Sequence, residues 1–389
     1  MYKLLRNTCV LLIGTGSLSI SVAAPHTTFS TLVDNWRAQE RVPGAVVYVK
    51  TSTTTQLINS GVGDTLTKIP IKKTTVFGVG SITKTFISVL ILQLEAQKKL
   101  KLSDTLGQYM PQYPHWRHIT IRHLLNMSSG IPNFTDIPAV KAGLEGRWSP
   151  DTLLALAYQQ HTHFIPGLRW EYSNTNYLLL GKIIEQVTQQ PLQTVLQTRL
   201  FTPLHLRSTF YGERAYPQAA LARAAHAYYN GMDCTFVSPG NTGAAGAMLM
   251  SATDLATWVD HLLIHPDLLP HMQQAELLDT IKIPPTPLHP HRTRFGLGIF
   301  TSDDDNMGHI VWYTGVTPQG YSSTFVWIPQ RNMLLIAQAN SRPDGNFTLL
   351  FPNQTLLQTA FAYFAGILSD LLHQSPAVVS AKNAHDIST

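Results

Sequence analysis

The chain has 389 residues, 44% of them hydrophobic and 13% charged, which excludes a disordered polymer and leaves room for one large globular domain or two of ordinary size. Its formal charge of +5 is spread without a basic run, so nucleic acid is not expected as a partner. Of the two cysteines, Cys9 lies in a segment expected to be removed and Cys234 remains alone, so stability has to come from the core rather than from an internal disulfide.

The first 23 residues carry Lys3 and Arg6, then an apolar stretch, then Ser21-Val22-Ala23, the pattern of a secretory leader cut after Ala23. A periplasmic or secreted protein beginning near residue 24 is expected. Gly14, Gly16 and several serines break the apolar run, so no stable membrane insertion is expected after cleavage. Residues 30–40 have the spacing of a short amphipathic helix, and VPGAVVYVKT (42–51) and TQLINSGVG (55–63) read as the two strands of a hairpin. GVGSITKTFI (78–87) opens a helix toward Leu100, with Ile82, Phe86, Val89, Leu90 and Leu94 at helical spacing. From 103 to about 285 the periodicity is mostly helical, punctuated at Pro111, Pro114, Gly130-Ile131-Pro132, Pro166-Gly167 and Pro203. Strand patterns return from 294 in FGLGIF, HIVWYTG, YSSTFVWIP and NMLLIAQAN. A last amphipathic helix at about 354–373 precedes a polar tail at 375–389.

Strands at both ends around a helical middle describe an α+β fold, an antiparallel sheet flanked by helices with a mainly helical insertion. The expected domain is 24–374, its sheet part about 30–80 and 290–374 and its helical part about 81–289.

Ser81 and Lys84 stand three apart at the helix start. Residues so spaced are neighbours, with Cβ atoms roughly 5–6 Å apart, so the amine can reach the hydroxyl. Ser81 also fits a plain N-cap, but a lysine in a first turn opposes the helix dipole. A serine hydroxyl becomes a nucleophile when a base takes its proton, and a lysine with a lowered pKa can be that base. Tyr172-Ser173-Asn174, on a loop before another apolar helix, offers a proton carrier in Tyr172, provided neighbouring cations depress its pKa, and an amide in Asn174. A second Tyr-x-Asn, ending at Asn230, is equally visible. Tyr313-Thr314-Gly315-Val316, on an expected strand, can hold an acyl group by main-chain bonds, with the Val316 and Ser81 N–H groups as an oxyanion hole.

These elements, with ITIRHLLNMSSGIPNF (119–134), WEYSNTNYLLLGKIIEQVT (170–188), LFTPLHLRSTF (200–210) and GAAGAMLMSATDLATW (243–258), resemble the penicillin-recognising serine hydrolases. The resemblance is to the branch of class C β-lactamases, serine D-Ala-D-Ala carboxypeptidases and related esterases, from about residue 30 to 373. It implies a β-lactamase/transpeptidase-like fold and selects Tyr172 over the later tyrosines. By that likeness Ser81 is the nucleophile, Lys84 its activating partner and Tyr172 the general base and acid. Asn174 orients Lys84 and the substrate amide, and 313–316 line the site. The implied activity is D-Ala-D-Ala carboxypeptidase-like, or otherwise hydrolysis of a short wall peptide, with an esterase, a class C-like β-lactamase or an inactive wall-fragment binder as alternatives. The chain departs from the pattern at Tyr313, where the family places lysine or histidine. The partner expected is a small-molecule or short-peptide substrate.

No cofactor is expected. The sixteen histidines include the pairs His161/His163 and His289/His291, without the spacing of a metal motif, and Asp303-Asp304-Asp305 lacks that of a calcium loop. Loop histidines and a solvated turn are the expected roles, with no metal site.

Overall fold

A computed structural model describes residues 28–142, 148–212, 215–235, 242–285, 292–305 and 307–342. The expected leader, the helix at 354–373, the polar tail and the His289/His291 pair lie outside these residues. The fourteen strands are β1 (Gly44–Lys50), β2 (Thr55–Gly61), β3 (Phe77–Gly78), β4 (Thr209–Tyr211), β5 (Tyr228–Tyr229), β6 (Met232–Asp233), β7 (Met248–Met250), β8 (Ile281–Lys282), β9 (Thr293–Phe295), β10 (Phe300–Asp304), β11 (Gly308–Val316), β12 (Ser322–Ile328), β13 (Met333–Ala339) and β14 (Ser341–Arg342).

Eight strands form one antiparallel sheet in the order β2-β1-β13-β12-β11-β10-β9-β8. The early hairpin therefore joins the late strands directly, Ala45 opposite Ala339 and Lys50 opposite Leu334. All seven residues of β12 and all seven of β13 are buried, as befits central strands covered on both faces. FGLGIF, read as a single strand, is instead a turn between two: Phe295 ends β9, Phe300 begins β10, and Gly298 between them has a positive φ of 87°. Glycine supplies that left-handed conformation at little steric cost. Two three-stranded sheets, β3-β7-β4 and β14-β5-β6, draw β4 to β7 from the middle of the chain, where the periodicity is mostly helical.

The helix Thr83–Ala96 is the hub. Every side chain from Thr83 to Leu92, and Leu94, is buried. A helix covered all round belongs in a core, and polar side chains on it are desolvated with the rest. It packs against the helix Asn174–Thr188. It is also tied to the helix Ala252–Val259 by the Phe86–Trp258 stack, with ring centroids 3.6 Å apart, and by the Trp258 indole N–H donated to Thr85 Oγ1 at 2.9 Å. Ser81 does not cap it. A 3-10 turn, Gly80–Ile82, leads into the helix, and Ser81 makes no capping bond.

Candidate active site

The turn bearing Ser81 is clamped from two sides. Val79 N–H donates to Met248 O of β7 at 3.0 Å, and Ser323 Oγ of β12 donates to Gly78 O at 3.0 Å. Gly80 takes a φ of +49°, and a Cβ there would lie 2.4 Å from Val316 O. Gly315 approaches as closely from the strand side: a Cβ would lie 2.0 Å from Val79 O and 2.6 Å from Ser81 N. Only glycines allow two backbones to approach this closely. The result is that the main chain of Val316 and that of Ser81 run side by side.

β11 is paired on both edges only in part. β10 covers Gly308–Trp312, while among the described residues Tyr313–Val316 pair with β12 alone. Among the described residues no strand pairs with the other edge of 313–316, which lies beside Ser81, a strand edge of the kind that binds an extended ligand by main-chain bonds. The Thr314 hydroxyl is already donated to Ser323 O at 3.2 Å, so this residue offers a ligand chiefly its backbone.

Ser81 Oγ lies 2.9 Å from Lys84 Nζ and accepts from Tyr172 Oη at 2.6 Å. Lys84 Nζ also reaches Asn174 Oδ1 at 2.8 Å and Ala245 O at 2.7 Å, with the rings of Tyr172 and Tyr177 at 4.9 and 5.5 Å. Lys84 is 0% exposed, and burial holds its pKa well below the ordinary lysine value. Ser81, Lys84, Tyr172 and Asn174 are thus brought together, and Tyr313 joins them from β11. The later Tyr-x-Asn is elsewhere: Tyr228 and Tyr229 form β5, paired to β14 and β6.

One expectation needs correcting. Tyr172 is not poised by a neighbouring cation; burial pushes its pKa up to about 12, against the opposing pull of hydrogen bonding with Ser81 and Tyr313. The reason is the wall around it. Trp170, Phe295 and Phe300 pack on one another, and the Tyr313 ring lies 6.3 Å from Phe295 and 5.2 Å from Phe300. Tyr313 is 1% exposed, and its hydroxyl lies close to that of Tyr172 yet makes no well-formed hydrogen bond among the described residues. Burial, then the nearby Tyr172 and Tyr177, hold its pKa well above the usual phenol value. Among the described residues Lys84 is the one cationic side chain bonded to Ser81, Tyr172 or Tyr313.

Two participants escaped the sequence reading. The Ala245 carbonyl, in the 3-10 turn Gly243–Ala245, is a backbone acceptor without a sequence signature. Asn133 accepts from both Asn174 N and Nδ2, at 3.0 and 3.2 Å. Its only signal was its place in the stretch ending SGIPNF. The His163 ring bonds to Glu171 and that of His309 to Asp303, while Asp305 pairs with Arg292. Among the described residues no three His, Cys, Asp or Glu side chains are grouped to hold a metal, and no helix is long and apolar enough to cross a membrane.

A family model described as Beta-lactamase matches residues 29–358. The chain belongs to that family. It is a serine hydrolase of the β-lactamase and penicillin-binding kind, with the β-lactamase/transpeptidase-like fold. It is similar to Protein flp of Staphylococcus aureus strain COL, 26% identical over 331 residues, or 80% of this chain. The chain spans only 62% of that protein's length. The D-stereospecific amidohydrolase from Streptomyces sp. superposes with a TM-score of 0.71 at 30% identity, covering 84% of this chain and 97% of the other. The D-amino acid amidase from Ochrobactrum anthropi SV3 does so with a TM-score of 0.77 over 87% and 98% at 22% identity, a likeness of fold.

Gly315→Ala tests the clamp. The added methyl must push β11 away from the Ser81 turn, so kcat/KM should fall on the order of a hundredfold, with a loss of roughly 1–3 kcal/mol in stability. Steady-state kinetics and a denaturant melt measure the two effects.

Proposed function

We propose that the protein hydrolyses an amide or ester bond through a covalent acyl group on Ser81, and that its leaving group carries no carboxylate. The observation that carries the reading is the Ser81 oxygen held between a buried amine at 2.9 Å and a phenol at 2.6 Å. A neutral amine has two N–H donors and one lone pair. Asn174 Oδ1 and Ala245 O can only accept, so they take the two donors, and the lone pair is left facing Ser81 O–H.

On this reading Lys84 takes the Ser81 proton as Oγ attacks the substrate carbonyl, and the oxyanion meets the N–H groups of Ser81 and Val316. Tyr172 gives its proton to the leaving nitrogen or oxygen. The phenolate so formed is stabilised by the ammonium that Lys84 has just become. Water then loses a proton to Tyr172 and attacks the acyl carbonyl, while Lys84 returns its proton to Ser81 Oγ. Every proton is accounted for, and Tyr172 is acid in the first half and base in the second.

Tyr313 decides the substrate class. A phenol donates one neutral hydrogen bond, about half as strong as a charge-assisted one, and no other cation is bonded nearby among the described residues. Primary amides and esters of amino acids or short peptides suit this site better than a peptide with a free terminal carboxylate. The likeness to the D-stereospecific amidohydrolase from Streptomyces sp. supports D-configured acyl groups. The carboxypeptidase-like activity implied by the family resemblance is the second reading, favoured by the open edge at 313–316. An inactive binder would have no use for a desolvated lysine against a serine.

A fluorophosphonate probe should label Ser81 in the wild type and not in Ser81→Ala, and that substitution should abolish turnover of a D-amino acid amide and an ester while leaving the melting temperature in place. Labelling at another residue would defeat the assignment. Tyr313→His, assayed where the imidazole is charged, should raise kcat/KM for a substrate with a leaving-group carboxylate by about tenfold relative to its amide. No change in that ratio would show that Tyr313 does not face the leaving group. With neutral Lys84 and protonated Tyr172 as the active form, kcat/KM should climb on an acid limb well below the ordinary lysine range, and its alkaline fall should wait for Tyr172 near its pKa of about 12. A pH–rate profile on an uncharged ester measures both.

A further inference from the structure

The helix Asn174–Thr188 begins without a cap of its own. Ser173, at its N-cap position, gives no side-chain bond to the first turn and instead donates its hydroxyl to Pro132 O at 3.3 Å. The missing acceptor comes from Asn133, whose Oδ1 takes the Asn174 backbone N–H at 3.0 Å and its side-chain Nδ2 at 3.2 Å. Asn133 is itself oriented, because its Nδ2 donates to Asp136 Oδ2 at 3.1 Å.

Each link dictates the next. A carboxylate only accepts, so Asp136 draws the NH2 end of Asn133 and turns its oxygen toward Asn174. That oxygen in turn draws the NH2 end of Asn174 and leaves Oδ1 toward Lys84 Nζ, at 2.8 Å. We infer that Asn133, held by Asp136, is a positioning residue that fixes the amide orientation of Asn174 and so decides whether Lys84 faces an acceptor or a donor. The catalytic part of this inference rests on the serine hydrolase reading above.

The chemical consequence is specific. An ammonium at Lys84 needs three acceptors, and it has Ser81 Oγ, Asn174 Oδ1 and Ala245 O. With Asn174 reversed, one of the three becomes a donor, the ammonium is disfavoured, and Lys84 accepts the Ser81 proton less readily. The titratable groups facing Lys84 are Tyr172 from the loop before the helix Asn174–Thr188, Tyr177 on that helix, and Tyr313 of β11 behind Tyr172. Charges on the other helices packed against Thr83–Ala96 are engaged elsewhere, Glu276 with Arg122 and Asp254 with Ser208 and Thr209. Asp136 is linked to Lys84 by hydrogen bonds through the two amides.

The full chain carrying Asn133→Ala or Asn133→Asp distinguishes this role from simple capping. Asn133→Ala should lower kcat on an ester by about tenfold to a hundredfold with KM nearly unchanged, and should move the acid limb to lower pH. Asn133→Asp keeps an oxygen for Asn174 and adds a negative charge, so it should recover most of kcat and move the acid limb to higher pH. The Lys84 side chain, followed by carbon NMR with Lys84→Arg for assignment, should titrate in the same two directions. A lower melting temperature with the acid limb and the Lys84 titration unmoved would make Asn133 a cap alone and overturn the inference. If Asn133→Ala did not fold, the upward shift in Asn133→Asp would still decide, since that variant retains the cap. If the wild type turned over no ester and Ser81 took no probe, the hydrolase reading would fail, and the Lys84 titration would still test the orientation.

Discussion

Removal of the Lys84 amine from water is the constraint on which the rest depends. It follows from where the lysine sits, in the first turn of a helix that is covered on every side. Desolvating a charge is far more costly than desolvating a neutral group, so the amine is driven to its basic form without any partner charge being spent on it. Three polar groups then have to be arranged around it, because an unbonded buried amine would itself be costly. The Ser81 hydroxyl, the Asn174 amide and the Ala245 carbonyl come from three distant parts of the chain, and bringing them to one nitrogen is what the packing of the central helices accomplishes.

The aromatic wall extends the same logic to the second proton carrier. With Trp170, Phe295, Phe300 and Tyr313 around it, Tyr172 remains a phenol in the resting protein. A cation at position 313 would have made a phenolate beside it easier to hold. With tyrosine there, the proposed mechanism separates charge only during turnover, when Lys84 takes up a proton. On that proposal, the tyrosine at 313 bears on the timing of charge in the site as well as on substrate choice.

How much of this was legible in the sequence depended on distance along the chain. Ser81 and Lys84 are three apart, so their contact is a property of one helical turn, and both were evident. The strands from 308 to 339 announced themselves by β-branched and aromatic runs, and the antiparallel joining of chain ends followed from their order. The break inside FGLGIF was missed because the alternation passes through Gly296 and Gly298, and only the positive φ at Gly298 shows a turn. The state of Tyr172 was misjudged because a pKa depends on burial, and although Trp170 is close in sequence, Phe295, Phe300 and Tyr313 come from segments more than a hundred residues away. Asn133 was passed over for a similar reason, since a polar residue after a Gly-Ile-Pro turn reads as solvent-facing until its partner 41 residues on is placed against it.

The pairing of β1 with β13 has a consequence for how the protein comes into being. Residue 45 cannot meet residue 339 until everything between them exists, and closing so long a loop is entropically unfavourable until the intervening strands supply contacts. Ser323 and Gly315, which hold the Ser81 turn, belong to that late part of the sheet. A ribosome-bound or still unfolded chain therefore contains the serine, the lysine and the tyrosine without the clamp that aligns them. Alignment of these side chains thus waits on β11 and β12, synthesised more than 200 residues after Ser81.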